Sequence, residues 1–140
     1  MAHLRANPDL IRPTIEEVMR FDSPVQATSR VAREPIAIGG QTIEAGQNIY
    51  VLLGSANHDA AQFPDPGRFD IARQPNRHLT FAHGAHFCLG AAVARAEAQT
   101  AVLTIVQRCH DLQLARDRVD WIEGFAFRGP KSLPVIFRAG

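Results

Sequence analysis

Apolar residues recur at helical spacing near the start of the chain. Residues 8–21 contain six large apolar side chains at helical intervals, namely Leu10, Ile11, Ile15, Val18, Met19 and Phe21. Because Pro13 lacks a backbone N–H, this pattern predicts a short lead-in followed by a helix over 13–21. The helix must end by Ser23, since Pro24 disfavours helical backbone at the residue before it.

A second helix is predicted over 91–109, which is rich in Ala, Arg, Glu and Gln. These residues have high helix propensity, and the segment contains no Pro or Gly. Its apolar stripe consists of Val93, Ala96, Thr100, Leu103 and Val106, and is wider than a helix resting on one thin sheet needs. The pattern indicates one long helix that rests on the remainder of the chain.

Short runs of strand-forming residues lie between and after these helices. The predicted strands span 27–33, 36–38, 42–44, 49–53, 112–115 and 133–137. Gly39-Gly40 predicts a tight hairpin turn, and Arg128-Gly129-Pro130 a turn between the last two strands. The Pro-rich start of 63–84 predicts a long ordered meander without regular structure.

These elements predict an α+β fold: two main helices, small antiparallel sheets and a long meander before the cysteine at position 88. A chain of 140 residues with 46% apolar and 21% charged residues suits one domain. Asn7-Pro8-Asp9 indicates a helical start only a few residues after Met1, so we expect a single partial domain, a fragment, over 1–140.

Charge and cysteine content exclude several classes of protein. The net charge of +1 gives no bulk attraction to nucleic acid, and no apolar run is long enough for a membrane helix. The first residues do not resemble a signal peptide. Two cysteines are too few for a disulfide framework, so we expect a cytoplasmic protein with a thiol available for chemistry.

The segment before the second helix carries the candidate chemistry. Cys88 lies between Gly84 and Gly90, immediately before the predicted helix. Backbone N–H groups and the macrodipole at a helix N-terminus stabilise a thiolate. The glycines allow close approach of the backbone to a flat ligand, and Phe81 offers an aromatic wall.

The pattern Phe81-x-x-Gly84-x-His86-x-Cys88-x-Gly90, followed by Ala94-Arg95, closely resembles the haem-binding signature of the cytochrome P-450 family. It departs from the signature at position 82, where alanine replaces the usual glycine. The resemblance implies that Cys88 is the thiolate ligand of the iron in haem b.

A second match lies far away in the sequence. Glu17-Val18-Met19-Arg20 is similar to the family's E-x-x-R helix motif, whose ion pair is buried and joined by an arginine of the meander, here Arg68. Further similar segments are Ser29-Arg30, Gly39-Gly40, 56–59 and 63–66, with His58 at a position that is commonly arginine. The resemblance runs from about residue 4 to 137 and indicates the C-terminal part of a bacterial member.

The resemblance assigns further roles by position. Arg30 and His86 would bind the haem propionates, and His78 is a further candidate for this role. Arg95 would lie on the surface that meets a ferredoxin-type or flavin redox partner. The segments 25–29 and 125–127 would line the pocket of a small organic substrate.

Other interpretations of the same residues remain open at this point. His83, His86 and Cys88 could form a zinc cluster, although a zinc site needs four ligands and no second half is present. Cys109 is expected to be a core cysteine near a helix end. Glu17 and Arg20 without the family context would be a solvated surface pair.

Two functions of different class follow. The first is the haem-binding part of a monooxygenase that is not competent alone, because the family's distal, proton-delivering helix would precede these residues. The second is a haem-free, non-catalytic remnant that folds by self-association, for instance as a homodimer.

Overall fold

The computed structural model describes all residues, 1–140. It consists of four α-helices and six β-strands: α1 (Ala2–Ala6), α2 (Ile11–Phe21), β1 (Thr28–Val31), β2 (Ile36–Ile38), β3 (Gln41–Ile43), β4 (Asn48–Val51), α3 (Leu53–Ala56), α4 (Ala91–Arg108), β5 (Cys109–Leu114) and β6 (Val135–Ala139). The predicted α+β class is therefore confirmed, with α2 and α4 as the two main helices. None of the helices combines the length and apolar character that crossing a membrane requires.

Helix α2 begins two residues before the predicted start at Pro13. The proline occupies the third position of the first turn, where a backbone N–H has no partner inside the helix. A short 3₁₀ turn over Pro8–Leu10 leads into α2. The helix ends at Phe21, which agrees with the stop predicted from Pro24.

Helix α1 is absent from the prediction and owes its place to tertiary contacts. A single buried cluster is formed by Leu4, Ile11, Ile15 and Val106. Arg5 of α1 donates to the carbonyl oxygens of Val106 (2.8 Å) and Cys109 (2.9 Å). It thereby satisfies acceptors that the C-terminal end of α4 leaves without helical partners. Five residues are too few for their spacing to predict such a helix.

Only part of the stripe predicted for α4 is covered. Val93 is 60% exposed, and Ala96 and Thr100 are also exposed. The face that packs on α1 and α2 contains Ala91, Ala98, Val102, Leu103 and Val106. Leu103 and Val106 belong to both sets, so the packed face overlaps the predicted stripe in the C-terminal half of α4 and departs from it in the N-terminal half.

The sheets are three separate antiparallel pairs, β1–β4, β2–β3 and β5–β6. Gly39 (φ +58°) and Gly40 (φ +78°) form the turn between Ile38 and Gln41, as the double glycine predicted. Strand β5 begins three residues earlier than predicted, since it continues directly from α4 and Cys109 pairs with Ala139.

The meander contains no helix or strand from residue 57 to 83, as expected, and ends in a 3₁₀ turn over Gly84–His86. The short helix α3, just before the meander, is also absent from the prediction. Its four residues make one turn whose Leu53 and Gly54 are buried. The meander therefore carries the chain from α3 to the cysteine loop through backbone turns, and side-chain hydrogen bonds fix it to α2.

Many large apolar side chains remain at the surface, among them Leu89, Phe125, Phe127 and Ile136. The solvent-accessible surface is 10,040 Å², whereas a compact monomer of this mass has about 7,200 Å². Much of this additional surface comes from apolar side chains, which favours the burial of this surface against other protein.

Candidate functional site

Backbone hydrogen bonds close the loop that presents Cys88. Its N–H donates to the carbonyl oxygen of Phe81 (2.9 Å), and its own carbonyl accepts from the N–H of Ala91 (3.2 Å) at the start of α4. Cys88 is exposed as a free thiol. The sulfur is therefore presented by a fixed loop at the N-terminal end of an 18-residue helix.

Two residues of this loop have left-handed backbone conformations. Gly84 has φ +70°, and Ala82 has φ +59°. A residue with a Cβ pays about 1–2 kcal/mol for this conformation, whereas glycine does not. This explains why glycine is usual at position 82 of the haem-binding signature that the loop resembles. Ala82 adopts a left-handed backbone conformation in spite of its Cβ, which costs stability. At Gly90, by contrast, φ is not left-handed, and an added Cβ would make an ordinary 3.9 Å contact with Cys88 Sγ.

A cavity of about 430 Å³ opens beside the loop. Its wall consists of Met19, Pro24, Val25, Thr28, Arg30, Leu53, Thr80, Phe81, Ala82, His86, Cys88 and Ala94. Most of this lining is apolar. The exceptions with strongly polar or metal-binding side chains are Arg30 and His86, which can donate hydrogen bonds, and Cys88, whose sulfur can bind a metal. Residues from α2, β1, α3 and the cysteine loop thus converge on one space.

The polar donors of the cavity suit an anionic group. Arg30 Nη1 donates to Thr28 Oγ1 (3.1 Å) and to the Ser29 carbonyl (2.7 Å), while Nε and Nη2 have no protein acceptor. The imidazole of His86 has no protein hydrogen-bond partner either. A guanidinium and an imidazole beside an exposed thiol fit a flat apolar group that carries carboxylates at its edge and a soft metal at its centre. The donor set therefore fits haem.

Phe81 is buried and forms the wall behind the cysteine loop. Its ring packs against that of Phe87, with 6.4 Å between centroids. On the other side, the Arg95 guanidinium lies 4.4 Å from the Phe81 ring centroid. The aromatic wall expected at this position is thus held between the loop and α4.

Arg95 differs from the expectation of a free surface charge. Its Nε and Nη2 donate to the two carboxylate oxygens of Glu16 at 2.7 and 2.9 Å. The hydrogen bond from Arg95 lowers the pKa of Glu16, and the same bond raises the pKa of Arg95. The guanidinium is therefore already paired within the chain, and a role in binding a redox partner would require this pair to be shared or broken.

His78 does not line the cavity, and its ring is engaged within the chain instead, so binding of a propionate by His78 stays a prediction. Its Nε2 lies 3.0 Å from Glu16 Oε2, and its Nδ1 accepts from the N–H of Thr80 (3.3 Å). Burial lowers the pKa of His78 and outweighs the opposing effect of Glu16. The neutral ring with a proton on Nε2 satisfies both contacts, whereas a proton on Nδ1 would face the Thr80 N–H.

Glu17 and Arg20 form the buried ion pair that the helix motif predicted. Two hydrogen bonds of 2.9 Å join them, and both side chains are fully buried. Burial alone would raise the pKa of Glu17, but hydrogen bonds from Arg20, the Asp70 N–H and Arg73 together lower it. Arg20 also donates to the carbonyl oxygens of Asn57 and Pro66. The pair fastens α2 to the meander.

The third arginine of this cluster is Arg73, and the assignment of Arg68 was wrong. The Arg68 side chain is 69% exposed and only approaches Asp70, at 3.7 Å. Arg68 contributes its backbone carbonyl, which accepts from both Arg20 and Arg73. The Arg73 side chain is 8% exposed, and its Nε lies 3.3 Å from Glu17 Oε1. The backbone path of the meander brings position 73, five residues further on, to the carboxylate.

A second buried polar network fixes the chain just before the cysteine loop. The hydroxyl groups of Ser23 and Thr80 lie 3.1 Å apart, and Asn57 Nδ2 donates to both. Asn57 Oδ1 accepts from the N–H of Leu79 (2.7 Å). Sequence reasoning did not single out these residues; Asn57 lies in a segment that resembled the family, which was the available signal.

The two segments expected to line a substrate pocket are adjacent. Val25 and Phe127 form an isolated antiparallel bridge, and the N–H of Gln26 donates to the Ala126 carbonyl (2.8 Å). Val25 also lines the cavity. The C-terminal loop therefore reaches the rim of the same site.

The alternative of a zinc cluster has no support in the arrangement of donors. No group of three or more His, Cys, Asp or Glu side chains converges on a point that could hold a metal ion. Cys88 is thus placed to act as a single protein ligand. Cys109, at the start of β5, is half-buried and lies outside the cavity.

Comparison with known proteins identifies relatives that are about three times as long. The chain is 50% identical over 134 residues to a biotin biosynthesis cytochrome P-450 of Bacillus subtilis, and 42% identical over 143 residues to the cytochrome P-450 monooxygenase PikC of Streptomyces venezuelae. These alignments cover 96% and 100% of this chain but 34% of each relative.

Solved structures agree with the sequence comparison. The crystal structure of P-450BioI in complex with hexadec-9Z-enoic acid ligated acyl carrier protein superposes with a TM-score of 0.94 at 50% identity, covering 98% of this chain and 36% of that one. A cytochrome P-450 of Chondromyces apiculatus superposes with a TM-score of 0.95 at 37% identity, covering 99% and 36%. The family model described as cytochrome P-450 matches residues 3–124. The chain therefore belongs to the cytochrome P-450 family, whose members hold haem.

Proposed function

We propose that these 140 residues are the haem-binding part of a monooxygenase, an oxidoreductase that inserts one oxygen atom of O₂ into an organic substrate. The observation that carries this proposal is the convergence of Cys88, Arg30 and His86 on one apolar cavity. Family membership, at up to 50% identity over nearly the whole chain, supports the same function.

Each cavity residue has a distinct task in this proposal. Cys88 donates its thiolate to the iron, and Arg30 and His86 donate hydrogen bonds to the two propionates. When bound, haem supplies the redox-active iron at which oxygen is activated, and thiolate ligation favours O–O cleavage. Apolar side chains such as Leu53 and Phe81 exclude water from the ring.

The proposed substrate is an apolar organic molecule that enters beside Val25 and Phe127. These residues are paired across the rim of the cavity, and neither carries a polar side chain. A long-chain acyl group is the first substrate to test, because P-450BioI was crystallised with an acyl chain ligated to its carrier protein. A change of the iron's spin-state spectrum on addition of hexadec-9Z-enoic acid would support this substrate class, and no change at saturating acid would reject it.

The 140 residues alone are proposed not to turn over substrate. They span about a third of the relatives' length, and the apolar surface around Phe125 and Phe127 is exposed. A haem bound in the cavity would therefore be open to water on one side, where dry surroundings are required. A ferredoxin-type or flavin protein is the proposed electron donor once the site is covered.

A second candidate is a haem-free remnant that folds by self-association, favoured by the excess of exposed surface over that of a compact monomer. Titration with haem separates the two functions. A saturable Soret band, together with a thiolate-type spectrum of the reduced carbonyl complex, supports the haem-binding function. If the chain is folded according to circular dichroism but gives no such band, the result supports the haem-free remnant instead.

A further inference from the structure

Two neighbouring carboxylates on α2 fasten different parts of the chain. Glu17 is enclosed with Arg20 and holds the meander. Glu16 receives two hydrogen bonds from Arg95 of α4. The side chains of Glu16 and Arg95 are 27% and 31% exposed, so the two charges are only partly removed from water. The two parallel hydrogen bonds join both carboxylate oxygens to the guanidinium. Glu16 therefore connects α2 to the helix that follows the cysteine.

The Arg95 guanidinium makes two contacts at once. Its edge meets Glu16, while its face lies 4.4 Å from the centroid of the Phe81 ring. The Phe81 carbonyl in turn accepts the N–H of Cys88 at 2.9 Å. A continuous path of contacts thus runs from Glu16 through Arg95 and Phe81 to Cys88. Only a planar cation can make the edge and face contacts together, so lysine is not equivalent here.

His78 also contacts Phe81, with 6.0 Å between the ring centroids. Its Nε2 lies 3.0 Å from Glu16 Oε2, and its Nδ1 accepts the N–H of Thr80, the residue before Phe81. Glu16 is therefore linked to the loop twice, through the backbone of Thr80 and through the ring of Phe81. Neither Glu16 nor Arg95 lines the cavity itself.

We infer that Glu16 and Arg95 are positioning residues for Cys88: by holding Phe81 they fix the direction in which the thiolate meets the haem iron. This inference rests on the proposed haem-binding function for its purpose. It assigns to Arg95 a task inside the chain, in place of the partner-binding surface expected from the sequence. The contacts of the pair point towards the loop and not away from the molecule.

Hydrogen exchange of the haem-free chain tests the positioning directly. Arg95→Gln and Glu16→Gln should each accelerate exchange of the Cys88 amide about tenfold, because its acceptor on Phe81 is no longer held. Arg95→Lys should keep the charge but still accelerate exchange. Arg12→Gln and Glu97→Gln, which change exposed residues without ion pairs, should leave it unchanged. Unaltered exchange at Cys88 in both Arg95 variants would overturn the inference.

Haem titration of the same variants adds the spectroscopic signature. The apparent Kd should rise about tenfold for Arg95→Gln, and the reduced carbonyl complex should lose part of its thiolate-type band. The double variant Glu16→Gln/Arg95→Gln should bind haem less weakly than the two single effects added together would give, since both variants break the same path through Arg95 and only Glu16→Gln also affects the link through His78. Wild-type affinity and an unchanged band in Arg95→Gln would refute the inference. If the wild type binds no haem, the proposed function fails, while amide exchange still decides the positioning role.

Discussion

Arg73 Nε lies 3.3 Å from Glu17 Oε1, so arginines from two distant parts of the chain hold one buried carboxylate. Arg20 approaches from the same helix, one turn away, and Arg73 from the meander. Arg73 also donates to the carbonyl oxygens of Pro64, Asp65 and Arg68. This single side chain therefore ties the irregular meander both to itself and to α2.

Replacing Arg73 should destabilise the fold much more than replacing Arg68. Arg73→Gln leaves Glu17 with one cation fewer and frees three carbonyls, at a cost of about 1–3 kcal/mol in the free energy of unfolding. Arg68→Gln removes an exposed side chain and should change it by less than about 0.5 kcal/mol. Urea unfolding followed by circular dichroism measures both. An equal decrease in the free energy of unfolding in both variants would mean that the Arg68 side chain contributes to the cluster around Glu17 as much as Arg73 does.

Cys88→Ser should abolish the thiolate-type spectrum of the haem complex. A hydroxyl group does not replace the soft, charged sulfur as an iron ligand. Cys109→Ser is the matched control, because that thiol lies outside the cavity and should leave the spectrum intact. An unchanged spectrum in Cys88→Ser would show that another residue binds the iron.

Ala82→Gly should stabilise the chain, although glycine usually does the reverse. The left-handed φ of +59° costs alanine about 1–2 kcal/mol, while the extra flexibility of glycine in the unfolded chain offsets about 0.4–1 kcal/mol. The expected net gain is up to about 1.6 kcal/mol. Ala101→Gly, at an exposed position inside α4, should instead cost about 0.5–1 kcal/mol. Thermal unfolding of both variants would contradict this account if Ala82→Gly also lowered the midpoint.

The stability contributed by His78 should be lost as pH falls. Its pKa is lowered in the folded chain, so below pH about 6.5 the unfolded chain binds a proton that the folded one does not. The free energy of unfolding should therefore decrease from pH 7 towards pH 5. The charged groups that affect the pKa of His78 are Glu16, Arg95 and Arg20. Because the pKa of Glu16 is itself lowered, protonation of Glu16 changes the stability only at more acidic pH.

The variant His78→Gln isolates this contribution, because it removes the titrating group from the buried position. Its stability deficit relative to the wild type should shrink as pH falls from 7 to 5. Denaturant titrations at several pH values measure the difference. A deficit that is independent of pH would mean that the folded and unfolded states bind the His78 proton equally.

The 140-residue chain should self-associate when produced by itself. Its exposed apolar residues include Val93, Phe127 and Ile136, and its surface exceeds that of a compact monomer of equal mass. Light scattering should give a mass above that of the monomer of 15.4 kDa. A strictly monomeric chain across a wide concentration range would contradict this prediction.

Local sequence determined the elements whose causes are local. The helix over α2 and its end at Phe21 follow from apolar spacing and Pro24, and the β2–β3 hairpin follows from Gly39-Gly40. The long helix α4 follows from residue propensities. The residues around Cys88 indicate haem through their resemblance to the family's haem-binding signature, which is legible in sequence because a ligand loop needs particular residues at particular spacings.

Tertiary structure alone decided which distant side chains meet. Arg68 and Arg73 have the same chemistry, and only the path of the meander places Arg73 on Glu17. The spacing of charges on one helix could not show that Arg95 is bound by Glu16, 79 positions away. Such pairings are set by the way in which α2, α4 and the meander pack together. Hydrophobic periodicity shows which face of a helix is apolar, but it does not show which residues that face or the opposite face will contact.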